Sequence, residues 1–239
     1  MARLSLTALA AAGVLLLFAL CTEGAPAQSK PELHRRNNIT RPSGGVFGVD
    51  VSSPYSQDTF ACLLDNGYTV AIVRAYQSTG NPDPNAPQTI ANAWAAGLNH
   101  VDAYLFPCPQ CDQSAAQQVD EMVNSLGGTP YGMIWLDIEG AEYWLGDYSS
   151  NQAFFEELLS AALSQKSTGV YASAYQWSSI FGSDYTGGGG TDLWYAHYDG
   201  NAGFDDFSPF GPWSSPNMKQ FAGDASVCGA DVDLDWYPD

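Results

Sequence analysis

The chain is poor in positive charge: 8 Lys and Arg stand against 26 Asp and Glu in 239 residues, and after Gly45 only Arg74, Lys166 and Lys219 remain to face 24 acids. Such a surface repels nucleic acid and anionic membranes, and it leaves too few cations to grip the phosphates of a nucleotide. The familiar signatures of other chemistries are missing as well. There is no Gly-x-Ser-x-Gly elbow, no His-Glu-x-x-His zinc motif and no phosphate loop. His34, His100 and His197 are too scattered along the chain to suggest a metal. No metal, no cofactor, no nucleic-acid partner and no membrane partner are expected. Charged residues make up only 14% of the chain and hydrophobic ones 45%, a balance that excludes disorder and leaves enough apolar mass for one core. A monomer is expected.

Long hydrophobic runs are also scarce. After Arg3 an apolar stretch covers residues 8–21, short of the roughly 20 residues that span a bilayer. Residues 1–27 therefore read as a secretory signal peptide, cut after Gly24 or after the small Ala25-Pro26-Ala27 triplet. Residues 28–45 are polar, rich in Pro, Arg, Asn and Ser, and read as a linker or pro-segment. The folded domain is expected over residues 46–239. Of 5 cysteines, Cys21 leaves with the signal, and four remain in an oxidising compartment. Three pairings are open, and Cys62 with Cys228 plus Cys108 with Cys111 is preferred. Cys108-Pro109-Gln110-Cys111 also has the spacing of a thiol redox site, but in a secreted chain a local structural disulfide is the simpler reading. The expected location is outside the cell or in a lysosomal or phagosomal lumen. The net charge of −18 points to an acidic setting, because self-repulsion relaxes as carboxylates are protonated.

Apolar runs rich in β-branched and aromatic residues recur at 46–52, 69–76, 100–107, 131–140 and 168–174, and each predicts a buried strand. Between them, apolar residues return at three and four positions in 56–66, 88–98, 112–126 and 151–166, which predicts helices. After a short helix at 175–181 the rhythm changes, with strands at 192–198, 218–222 and 232–237 and no long helix between them. The fold class expected is α/β: a modified TIM-like barrel of five β/α units followed by three strands with little helix, its sheet parallel through the crossovers.

The chemistry gathers at strand ends. Tyr-Gly-Met-Ile-Trp-Leu-Asp-Ile-Glu-Gly at 131–140 puts Asp137 and Glu139 on one face at the C-terminal end of a strand, where a barrel builds its active site. Two acids in one pocket repel, so at least one keeps its proton to higher pH, as a general acid must. Asp50 ends the first strand and Asp233 lies in the last, and these strands are neighbours in a closed barrel. Four acids are thus expected on one rim. Tyr76, Tyr104, Phe106, Tyr171, Trp194, Tyr195, Tyr198 and Trp236 are expected to flank it, and Gln220 joins Tyr76, Tyr104, Tyr171, Trp194 and Tyr198 as candidate substrate contacts. Acids with aromatic platforms and almost no cations suit a neutral sugar polymer.

Phe47-Gly48-Val49-Asp50-Val51-Ser52, Trp135-Leu136-Asp137-Ile138-Glu139, Leu193-Trp194-Tyr195-Ala196 and Val232-Asp233-Leu234-Asp235-Trp236 resemble, in order, the family 25 glycoside hydrolases, the Chalaropsis-type lysozymes. The Phe106-Pro107-Cys108-Pro109-Gln110-Cys111 segment is similar to the nematode and protist branch of that family. The resemblance implies a barrel of five β/α units and three strands. It also implies hydrolysis of the β-1,4 bond between N-acetylmuramic acid and N-acetylglucosamine in peptidoglycan. It makes Glu139 the general acid, Asp137 its partner and Asp50 and Asp233 the flanking acids. Asp235 departs from the Asn common in bacterial members.

Two schemes are compatible with these residues. In one, Glu139 protonates the glycosidic oxygen while Asp137 orients the substrate's own N-acetyl group for attack on the anomeric carbon; in the other, a carboxylate activates water and inverts the anomer. Two further readings compete with the lysozyme. A family 18 chitinase would want an Asp where Trp135 stands. A non-catalytic glycan-binding or signalling protein on the same scaffold is the alternative from another class.

Overall fold

In the computed structural model, residues 44–239 are described. The expected signal peptide, and all but the last two residues of the expected linker, lie outside them. The elements run β1 (Val46–Val51), α1 (Gln57–Asp65), β2 (Val70–Gln77), the two-residue β3 (Asn81–Pro82), α2 (Ala86–Ala95), β4 (His100–Leu105), α3 (Ala115–Leu126), β5 (Ile134–Asp137), α4 (Tyr148–Gln165), β6 (Thr168–Ala172), α5 (Ala174–Phe181), β7 (Asp192–Ala196), β8 (Met218–Val227) and β9 (Ala230–Tyr237). Helix starts follow from capping side chains. Ser56, Asp147 and Ser173 accept from the amides of Thr59, Ser150 and Gln176, and Ser114 forms a reciprocal capping box with Gln117. Each cap satisfies an amide that the first helical turn leaves without a partner.

Eight strands close into a barrel. β1, β2, β4, β5, β6, β7 and β8 are successive parallel neighbours, and β9 completes the ring between β8 and β1. The last strand, which follows no helical crossover, is antiparallel to both β8 and β1. Its connection is the reason: Cys228 and Gly229, both at positive φ, turn the chain directly back, whereas a parallel return needs a crossover of a dozen residues or more. β3 is an unexpected annex, antiparallel to the end of β2. β5 is shorter than the apolar run that predicted it. Gly140 sits in the left-handed region at φ 63° and turns the chain away, so Glu139 stands just beyond the strand.

Period-two alternation sorts the strand residues into two cores. Ile72, Tyr104, Trp135, Tyr171, Trp194 and Met218 fill the barrel interior. Val49, Val73, Leu136, Val170 and Leu193 face outward and pack with the helices. Gly169 makes room inside, since a Cβ there would overlap the Trp135 ring. The disulfides are Cys62–Cys228, tying α1 to the β8–β9 turn, and Cys108–Cys111 in the loop after β4, the preferred pairing. Among the described residues no helix is long and apolar enough to cross a membrane.

Candidate active site

The C-terminal ends of the parallel strands form one mouth of the barrel. β1 and β9 pair so that Asp50 lies opposite Asp233, Asp137 is the last residue of β5, and Glu139 follows two positions later. All four acids line one pocket of about 70 Å³ together with Tyr104, Tyr171, Trp194, Tyr198 and Gln220. The structure thus brings together the four expected acids and five of the six expected contacts.

Gln220 is the hub of the hydrogen bonding. Its Nε2 donates to Asp50 Oδ2 at 2.6 Å and to Asp233 Oδ2 at 3.2 Å, and its Oε1 accepts from Tyr171 Oη at 2.6 Å. Tyr171 Oη is also 3.1 Å from Tyr198 Oη. Asp233 Oδ1 accepts from the Asp224 amide at 2.7 Å. This one amide side chain therefore organises two acids and two tyrosines, while Asp137 Oδ1 is buried with no hydrogen-bond partner.

Glu139 lies where this narrow pocket meets a wider one of about 400 Å³, which it lines with Tyr171, Ser173, Ala174, Tyr175, Gln176, Tyr195, Ala196, His197 and Tyr198. Tyr175 and Tyr198 are 76% and 57% exposed, large rings left uncovered beside an acid. Sequence reasoning missed Ser173, Tyr175 and Gln176 as site residues. The signal available was Ser173, a capping residue directly after a barrel strand.

Burial and mutual repulsion push the mouth acids upward. Asp50 is raised well above the usual carboxylate range by burial and by the Asp233 charge. Asp137 is raised likewise by burial, then by Glu139 and Asp50, with Arg74 pulling the other way. Glu139 is raised by burial and by the charges of Asp233 and Glu142. Asp233 is raised chiefly by burial, although the Asp224 amide opposes it. A group that holds its proton beside an open cleft is able to deliver it to a bound oxygen.

Three expected flanking residues stand elsewhere. Tyr76 is a correction: the register shifts between Arg74 and Tyr76, and this bulge turns the ring out of the barrel. It is fully buried in the outer core, and its Oη donates to Glu121 Oε2 at 2.8 Å. Trp236 lies toward the opposite end of the barrel, paired with Phe47, and donates to the Gly44 carbonyl. Phe106 packs edge-on against Tyr143 and lines neither pocket. Tyr195 borders only the wider pocket; its Oη donates to Asp206 at 3.1 Å.

Among the described residues, His197, Asp199 and Asp206 have the mutual spacing of metal ligands. A cation of the chain already serves them: the fully buried Lys219 Nζ lies 3.0 Å from Asp199 and 2.7 Å from Asp206. Asp235 is the other acid whose surroundings the sequence did not reveal. It is completely buried inside the barrel, and its Oδ1 accepts from Trp194 Nε1 at 2.8 Å.

The model of the family described as Lysozyme-like protein 1 matches residues 42–221. "Probable GH family 25 lysozyme 2" of Dictyostelium discoideum is 50% identical over 196 residues, which cover 81% of this chain and 91% of the relative. The chain belongs to the glycoside hydrolase family 25 lysozymes. As a family 25 member it is a glycoside hydrolase of the lysozyme type, on the branch with amoebal and nematode relatives. "Lysozyme-like protein 5" of Caenorhabditis elegans is 39% identical over 196 residues, 80% of this chain and 91% of its own. "Counting factor 50" of Dictyostelium discoideum is 34% identical over 203 residues, 80% of this chain and 65% of its own. The family GH25 lysozyme from Aspergillus fumigatus shares the fold, with a TM-score of 0.68 at 20% identity over 81% of this chain and 94% of that one.

Proposed function

We propose that this protein is a secreted N-acetylmuramidase that cleaves the β-1,4 bond between N-acetylmuramic acid and N-acetylglucosamine in bacterial peptidoglycan, with Glu139 as general acid. The observation that carries this reading is the position of Glu139: a half-buried acid with a raised pKa at the junction of the narrow and wide pockets. A sugar seated in the narrow pocket and its neighbour in the wide one would put the linking oxygen beside that proton.

Asp137 takes the partner role. Its bare Oδ1 needs a donor, and the N–H of an acetamido group is one of the right kind. Accepting it would aim the acetyl oxygen at the anomeric carbon, as substrate-assisted glycosidases do. Asp50 and Asp233, tied to Gln220, are placed to offset positive charge that develops on the sugar ring. The uncovered rings of Tyr175 and Tyr198 offer stacking faces for the glycan. Raised acids suit work at acidic pH, and two disulfides suit an oxidising compartment such as the exterior or a digestive lumen.

The deciding experiment is digestion of purified peptidoglycan with product analysis. Muropeptides with N-acetylmuramic acid at the new reducing end, first formed as the β-anomer, are the expected result. Ends on N-acetylglucosamine would overturn the bond assignment, and an inverted anomer the assisted scheme. The relative named counting factor favours a second reading, a binding protein without turnover; intact walls after prolonged digestion, with the glycan still bound, would select it.

A further inference from the structure

Two buried carboxylate oxygens meet no hydrogen-bond partner among the described residues, Asp137 Oδ1 and Asp235 Oδ2. Asp137 lines the narrow pocket, so a ligand can bring it a donor. Asp235 does not line that pocket. It is completely buried, and Trp194 Nε1 already occupies its Oδ1. Because β1 and β9 pair Asp50 with Asp233 and Gly48 with Asp235, it lies diagonally across from Asp50 on the inward face, and the Asp50 charge acts on it. No ligand reaches it there.

Resting on the muramidase reading above, we propose that Asp235 is a positioning residue that shares one proton with Asp50 and thereby holds Asp50 in place as a wall of the sugar pocket. Two ionised carboxylates repel at contact, and two acceptors can be joined only through a proton. The proton belongs on Asp235. Asp50 Oδ2 receives the Gln220 amide at 2.6 Å, which favours its anion, and Asp50 is 8% exposed against 0% for Asp235. The charged form therefore sits at the wetter, better-supplied carboxyl and the neutral form at the drier one.

The surroundings point the same way. Asp235 faces Asp50 from β1, Asp233 from its own strand, Trp194 from β7 and Gln220 from β8. Asp50 is further acted on by Asp233 and Glu139 and itself acts on Asp137, Tyr104 and Tyr198. Among the described residues, Arg74 is a cation that bears on this group, through Asp137 and Tyr104. A site so dominated by acids retains a proton. Both partners are raised well above the ordinary carboxylate range by burial, and the interaction between the two carboxyls lowers Asp50 while it raises Asp235. With that proton gone, Asp50 would be driven off Gln220, and the link to Tyr171 and Tyr198 would loosen.

Two measurements test this. In the wild-type protein, carbon-13 NMR of the side-chain carboxyls is expected to show Asp235 in its protonated form through neutral pH; an Asp235 that titrates as an ordinary aspartate overturns the proposal. In wall-lysis assays Asp235→Asn should keep activity to within about threefold, because its amide donates to Asp50 while its carbonyl accepts from Trp194. Asp235→Leu, which leaves Asp50 without that donor, should lose roughly tenfold or more. Equal activity of the two folded variants also overturns it. A protonated Asp235 in a protein that digests no wall would instead refute the muramidase reading while leaving the shared proton standing.

Discussion

The barrel interior holds buried aspartates near both ends, and they are supplied in opposite ways. Toward the N-terminal end, Asp102 accepts from the Met133 amide at 2.6 Å and Trp135 Nε1 at 2.9 Å, and pairs with His100 Nε2 at 2.7 Å. That pairing raises the His100 pKa, its hydrogen bond to Asp102 being the main cause. At the mouth, Asp50 and Asp233 share the Gln220 amide, and Asp137 Oδ1 has nothing. Burial by itself therefore does not mark the site. A buried acid with its donors present holds the fold together, and a buried acid without them is waiting for a proton or a ligand.

The largest effect expected from this contrast is at Glu139. Glu139→Gln keeps the shape but cannot yield a proton, and should lower wall lysis by about a thousandfold without lowering the melting temperature. Near-normal turnover would remove Glu139 from the role of acid. Next comes the opposite end. Asp102→Ala strands the Met133 amide and the Trp135 indole inside the protein, and should cost about 2 to 4 kcal/mol in urea unfolding. The folded fraction should still lyse walls at close to the normal rate. An Asp102 variant that is stable but inactive would break the division between the two ends.

Much of the fold and of the mouth is legible in the sequence, whereas the supply of donors to Asp102 is not, and the limits have physical causes. Alternating apolar patterns at periods of two and near 3.6 located the eight barrel strands and five helices, and the Asp-x-Glu spacing put Asp137 and Glu139 on one face. Tyr76 was misplaced because one bulge after Arg74 reverses every later residue's face, and alternation carries no mark of a bulge. The direction of β9 is not written in the alternation, because two residues, Cys228 and Gly229, decide it. Val232-Asp233-Leu234-Asp235 reads as two equivalent inward acids. Only depth in the barrel separates Asp233, which lines the pocket, from Asp235, which lies completely buried, and depth depends on neighbouring strands. The wider pocket comes from loops after β6 and β7, whose courses follow from packing.

Asp137 gives a sharper form of the comparison. Removing a well-supplied acid should weaken the fold, but removing an unsupplied one should strengthen it. Asp137→Asn replaces a buried carboxylate lacking a donor at Oδ1 by a neutral amide that can donate to neighbouring acids. It should raise stability by about 1 kcal/mol at neutral pH while cutting lysis about a hundredfold. A loss of stability as large as that of Asp102→Ala would erase the distinction.

The smallest effect, and the one that sums over the whole mouth, is the dependence of stability on pH. Asp50, Asp137, Glu139, Asp233 and Asp235 all have raised pKa values in the fold, so above the unfolded values of about 4 the native state binds more protons than the unfolded chain. Their contribution is fully present below those unfolded values and is lost as pH rises through the folded ones. Asp206 has the opposite sign: burial pushes it up, but hydrogen bonds from Lys219 and His197 outweigh this and hold it at about 2. Its contribution is present above the unfolded value and is lost only as pH falls toward that figure. The melting temperature should therefore be higher near pH 5 than near pH 8. General self-repulsion of a chain with net charge −18 predicts the same slope, but it acts between exposed charges and is screened by salt, whereas the buried acids are screened much less. A slope that persists in about 0.5 M salt and flattens in Asp235→Asn belongs to the mouth; one that salt abolishes belongs to the surface.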